Sequence, residues 1–111
     1  MLIGLVALLH VYFLILEMFF WDKPRGIHAF GHTREAAQAS KVLAMNMGHY
    51  NGFLAAGLLW DLWLGQQGQT ILTFFLSCII IAGIFGGFTA SRKIITIQAL
   101  PALLALLFLL A

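Results

Sequence analysis

Four apolar stretches dominate the sequence: Leu2 to Trp21, Val42 to Leu64, Thr70 to Ala90 and Ile94 to Ala111. At about 1.5 Å per helical residue, each is long enough to cross a hydrocarbon core of roughly 30 Å. A span in lipid has to satisfy its own backbone hydrogen bonds, so each stretch reads as an α-helix. Of the 111 residues, 62% are hydrophobic and 9% charged, with a mean hydropathy of +0.99. An ordinary soluble domain is about one-quarter charged. A soluble catalytic domain and a multidomain receptor are therefore excluded. Six Lys and Arg against four Asp and Glu are too few for a phosphate-binding patch, so no nucleic-acid partner is expected. The expected fold class is an all-α membrane protein, a four-transmembrane-helix bundle forming one domain over residues 1–111. Its helices are expected at about 2–21, 34–64, 70–90 and 94–111.

The first stretch has the length of a secretory signal, but it lacks a basic leading region and carries Glu17. It is followed by Trp21-Asp22-Lys23-Pro24-Arg25-Gly26 in place of a small-residue cleavage site, and is expected to be a retained helix. The connections are a basic loop from Asp22 to about Lys41, a neutral turn Gly65-Gln66-Gln67-Gly68-Gln69, and a short basic turn Ser91-Arg92-Lys93. The first and third connections lie on one side of a four-span chain. With Lys41 at a helix mouth, they hold every Lys and Arg, so that side is expected to be cytoplasmic and both termini outside. Trp60 and Trp63 fit an outer aromatic belt and Trp21 an inner one. In the long loop, Pro24 and Gly26 are expected to stop the first helix, and Thr33 to cap a helix that runs into the second span.

Between helices in lipid, close packing comes from small residues. Gly48, Gly52 and Ala56 repeat every four residues in the second span, and Gly83, Gly87 and Ser91 do so in the third. These ladders predict that spans two and three form the tight pair, within one chain or between copies of a homo-oligomer. Pro101 withdraws the partner of the Ile97 carbonyl and is expected to bend the fourth span. A lone Cys78 forbids an internal disulfide.

Polar side chains inside a span are costly and are candidate sites by default. Counting inward from Trp21 to Glu17, from Lys41 to Asn46 and from Lys93 to Gln98 puts a carboxylate and two amides at one level, about 6–8 Å below the basic interface. Lys41, Ser91 and Lys93 lie just above them, within reach of flexible lysine stems. Deeper lie His10, seven residues before Glu17 and on its face, and His49 and Asn51 of the second span. Tyr50 follows Asn46 by four, which predicts a network of Glu17, Asn46, Tyr50 and Gln98. The plain alternative is that the amides only tie helices together, and that His10 is a buried, hydrogen-bonded side chain. Glu17 needs either a cation beside it, Lys41 or Lys93, or a proton. A haem between His10 and His49, and a metal on His28, His32 and Glu35, lack supporting pattern, so no cofactor or metal is expected.

The run Leu16-Glu17-Met18-Phe19, then Trp21, Pro24-Arg25-Gly26, Phe30-Gly31, Lys41-Val42-Leu43-Ala44, Asn46, Gly48, Tyr50-Asn51-Gly52-Phe53-Leu54-Ala55-Ala56-Gly57, Gly83 with Gly87, Ser91-Arg92-Lys93 and Gln98-Ala99-Leu100-Pro101-Ala102 resembles the small bacterial integral membrane proteins of domain-of-unknown-function family 1304. The resemblance covers essentially the whole chain. It implies a four-helix protein of a bacterial inner (cytoplasmic) membrane, without an assigned activity, in which Glu17, Asn46, Asn51, Ser91, Lys93 and Gln98 belong to the family pattern. Two positions depart from that pattern: Leu9 stands where relatives often carry Glu, and His49 where they usually carry an apolar residue. In size and in its first-span glutamate the chain is also similar to small multidrug exporters, whose glycine and basic-loop pattern it does not share.

Three functions stay open at this point. One is small-molecule binding or transport by a homo-oligomer, with Glu17 as the protonatable group of a polar site near the cytoplasmic side. Another is an enzyme on a lipid-like substrate, with Glu17 as general acid or base and Lys41 or Lys93 on a headgroup. The third is a structural or partner-binding subunit.

Overall fold

The computed structural model describes residues 2–111, and every regular element among them is helical. The elements are α1 (Leu2–Phe19), α2 (Pro24–Phe30), α3 (Arg34–Ala39), α4 (Lys41–Leu64), a 3₁₀ turn (Gly65–Gly68), α5 (Gln69–Thr89), a π-helical turn (Ile95–Ala99) and α6 (Leu100–Leu110). Their contacts group into two compact units: His10–Phe53, and the residues before it together with Leu54–Ala111.

In the unit His10–Phe53, α1 ends at Phe19, two residues short of the expected Trp21. The cause is Pro24. Lys23 precedes it in extended backbone (φ −100°, ψ 161°), the conformation a following proline imposes, and Pro24 occupies the first helical position of α2. Pro24 thus starts a helix where it was expected only to end one. Gly26 is buried because the chain doubles back on itself: a Cβ there would lie 2.0 Å from the Phe20 carbonyl oxygen. The second helix closes at Gly31 in the left-handed region (φ 68°). Thr33 caps α3, its hydroxyl accepting from the Ala36 amide at 3.1 Å. The expected continuous helix from 34 to 64 is broken at Ser40 (φ −105°, ψ 11°). The Ser40 hydroxyl donates to the Ala36 carbonyl at 2.7 Å and accepts from the Trp21 indole at 3.0 Å. Trp21 also packs on Phe30 and His32, with ring centroids 4.7 and 4.4 Å away, so the basic loop is a folded cap organised around one indole.

The other unit is held by a core of Val6, Ala7, Leu58, Leu72, Leu76, Ile79, Ala102 and Ala105. Gly65 (φ 68°) lets the 3₁₀ turn reverse the chain between α4 and α5. Gly57 receives the Phe75 ring, 2.5 Å from where a Cβ would stand. Gly83 and Gly87 meet Ala99 and Ile95 of the π turn. In His10–Phe53, by contrast, Gly48 and Gly52 meet Met18 and Leu14 of α1. Within their own units these glycines serve the close approach of α1 to α4 and of the π turn to α5, where their spacing suggested a tight pair of α4 and α5. The π turn stands immediately before Pro101, and the Leu100 amide donates to Ile95 across its wider turn. That local widening is how the chain accommodates a ring that cannot donate and that crowds the preceding turn.

Large apolar side chains face outward on every long helix: Leu8 and Phe19 of α1, Val42 and Leu43 of α4, Phe85 and Phe88 of α5, and Phe108 of α6. Leu2–Phe19 and Lys41–Thr89 contain windows apolar and long enough to cross a membrane, and only 28% of each is buried. Ile95–Leu110 is a shorter apolar helix.

Candidate functional site

The site is built by the absence of side chains. Ala44, Gly48, Gly52 and Ala55 form a small-residue face of α4. A Cβ at Gly48 would fall 2.5 Å from Met18 Cγ and 3.3 Å from the Leu14 carbonyl oxygen; one at Gly52 would fall 2.7 Å from Leu14 Cδ1. This close approach brings Asn51, three residues after Gly48 and on the same face, to Glu17 of α1. The Asn51 side-chain amide donates a hydrogen bond to Glu17 Oε1. Glu17 is 5% exposed. A carboxyl group is thus enclosed in an apolar helix pair and met by a neutral amide.

The lysine expected to answer it is engaged elsewhere. Lys41 Nζ lies 3.2 Å from Asp22 Oδ2. That hydrogen bond holds the Asp22 carboxyl below its ordinary range, with a smaller opposing effect of partial burial. Asn46 and Tyr50 do share a face, as their spacing requires, but it is the outward face of α4. Asn46 donates to Val42 of its own helix at 2.9 Å, and Tyr50 is 65% exposed. His49 is also exposed, its Nδ1 3.2 Å from the Met45 carbonyl oxygen. The polar residues of α4 are therefore divided: Asn51 turns to Glu17, while Asn46, His49 and Tyr50 turn outward. His10 is fully buried and meets the edge of Phe13 at 5.4 Å.

Three predicted site residues lie in the other unit. Gln98 is half-buried and donates to the Ile79 carbonyl of α5 at 3.3 Å, a tie between helices. Ser91 accepts from the Lys93 amide at 3.3 Å, and the Lys93 side chain is exposed. In the loop, the His32 ring packs at a tilt against Trp21, with its Nε2 3.3 Å from the Trp21 carbonyl oxygen, and His28 is exposed.

One buried carboxylate escaped the sequence reading. Asp61, in the last turn of α4, is 2% exposed, and neither of its carboxylate oxygens has a hydrogen-bond partner among the described residues. Its signal is a lone acidic residue in the otherwise apolar run Leu58-Leu59-Trp60-Asp61-Leu62-Trp63-Leu64.

Fold and site together define a small helical protein with an apolar exterior and a few enclosed polar side chains. The chain belongs to the family described as Protein of unknown function (DUF1304), whose sequence profile matches residues 4–110, in agreement with the resemblance noted above. It is similar to "Uncharacterized protein YpaA" of Lactococcus lactis subsp. lactis (strain IL1403), with 32% identity over 105 residues, covering 93% of this chain and 88% of that one. No solved structure matches the chain.

Proposed function

We propose that the chain crosses a bacterial cytoplasmic membrane four times, with its basic loops inside, and binds or carries a small molecule at the Glu17–Asn51 pair as a homo-oligomer. The outward Leu, Val and Phe side chains support the membrane reading, because a core helix of a water-soluble protein would be mostly covered. The observation that carries the site is the company Glu17 keeps. A carboxyl at membrane depth that is held by Asn51, while Lys41 is engaged by Asp22, can exchange a proton or receive a hydrogen-bond donor from a ligand. The outward Asn46, His49 and Tyr50 support the oligomer: polar side chains facing lipid are costly, and a second copy laid on this face would give them partners.

The testing experiment uses the purified chain in vesicles loaded with a pH-sensitive dye and screened against small organic amines and amides. A compound that moves protons through the wild type and not through Glu17→Gln supports the proposal. If every response survives Glu17→Gln, the pair is a tie between helices and the binding role fails.

A further inference from the structure

Asp61 presents a different chemistry from Glu17, because its carboxylate oxygens are enclosed without a donor from any described residue. The chain folds back against the backbone of this turn: a Cβ at Gly68 would stand 2.9 Å from the Asp61 main-chain carbonyl oxygen and 3.2 Å from Leu64 Cβ. Beside it lies a recess of about 440 Å³ walled by Asp61, Gln66, Gln69, Ile3, Leu72 and Leu109. Buried carboxylate oxygens in folded proteins are nearly always supplied with donors, so a site that encloses them and leaves room beside them is shaped for a donor from outside the chain.

We propose that this recess is a second binding site, which takes a primary ammonium group carried on an apolar body. The carboxylate supplies the charge-assisted acceptor. Gln66 and Gln69 line the same recess, and a side-chain amide carbonyl can accept the remaining ammonium protons; the Gln69 nitrogen donates to the Leu109 carbonyl at 3.5 Å. Ile3, Leu72 and Leu109 offer apolar surface to an alkyl chain. A divalent metal is the poorer fit, because no group of three or more His, Cys, Asp or Glu among the described residues could hold one. The ammonium can come from a free aliphatic amine or from an ethanolamine lipid headgroup.

The test is native mass spectrometry of the full chain in detergent, titrated with octylamine and, in parallel, with octyltrimethylammonium, which has the same tail and charge but no N–H donor. Octylamine is expected to bind one per chain, and octyltrimethylammonium at least about tenfold more weakly. Asp61→Asn is expected to lose octylamine by a similar factor, whereas Glu17→Gln keeps it, which separates this site from the first. The exposed Gln66→Leu offers a variant without a buried change, and it should weaken octylamine while leaving the melting temperature unchanged. Competition by phosphatidylethanolamine but not phosphatidylcholine supports the site with a lipid source; octylamine binding without that competition supports it with a free amine. Equal binding of the two octyl compounds, or undiminished octylamine binding by folded Asp61→Asn, overturns the proposal.

Discussion

Asn51 of α4 donates its side-chain amide to Glu17 of α1, and it can do so because Gly48 and Gly52 remove the side chains that would hold the two helices apart. Helix packing and site are one feature. The residues that permit close approach also select which polar residue of α4 meets the carboxyl.

The glycines predict two different outcomes for the same substitution. At Gly83, an alanine Cβ would lie 2.9 Å from both the amide nitrogen and the Cβ of Ala99, atoms that move only with the backbone. Gly83→Ala should destabilise the protein by about 1–3 kcal/mol. At Gly52, the obstacle is the far end of the Leu14 side chain at 2.7 Å, which can rotate. Gly52→Ala should stay within about 1 kcal/mol of wild type, because alanine's helix propensity offsets the repacking. Thermal unfolding in detergent distinguishes the two.

The Asp22–Lys41 pair gives the folded cap a pH dependence. Its hydrogen bond lowers the Asp22 carboxyl from an ordinary value of 3.8, so the folded state favours the ionised form. This contribution is complete above the unfolded value and fades as pH falls through the lower folded one. Loop opening, followed by hydrogen exchange of residues 22–40, should rise in that acid range for wild type. Asp22→Asn should remove the change, and an unaltered acid response in this variant would refute the assignment.

The proposed topology is tested by reporters at the C-terminus. A reporter active only outside the cytoplasm should be active there, since Lys23, Arg25, Arg34, Lys41, Arg92 and Lys93 all lie in or beside the two connections assigned to the inner face. Activity of a cytoplasm-specific reporter at that end would reverse the orientation.

The outward face of α4 predicts the assembly. Replacing Asn46 and Tyr50 together with Leu should leave the chain folded, as both are exposed and Asn46 bonds only within its own helix. The double variant should run as a smaller species than wild type in crosslinking from native membranes. An identical crosslinking pattern would remove this face from the interface.

Much of the helical framework was legible from residue type. The apolar runs locate α1, α4, α5 and the final helix to within a few residues, and Thr33 marks a real cap. What eluded the sequence reading has a physical cause in each case. Pro24 is compatible with either end of a helix, and only the extended Lys23 before it reveals a start. Asn46 and Tyr50 lie on one face by periodicity, but periodicity does not say which face turns inward; Ala44, Gly48, Gly52 and Ala55 decide that, and they favour Asn51. Depth along the helices puts Lys41 above Glu17, but Asp22, a less enclosed carboxylate, takes the same cation at 3.2 Å. Asp61 is singled out by its burial together with its unmet oxygens, neither of which residue type encodes.

On the proposed function, Glu17 is a proton-exchanging site and not only a tie to Asn51. Infrared difference spectroscopy of the purified protein across pH, paired with thermal melting of the same samples, tests it most directly. A titrating carboxyl band is expected in the wild type and absent from Glu17→Gln, with little change in melting temperature, because the substituted amide keeps a hydrogen bond to Asn51. A band unaffected by the substitution, or a Glu17→Gln protein that is strongly destabilised and shows no lost pH response, would contradict it.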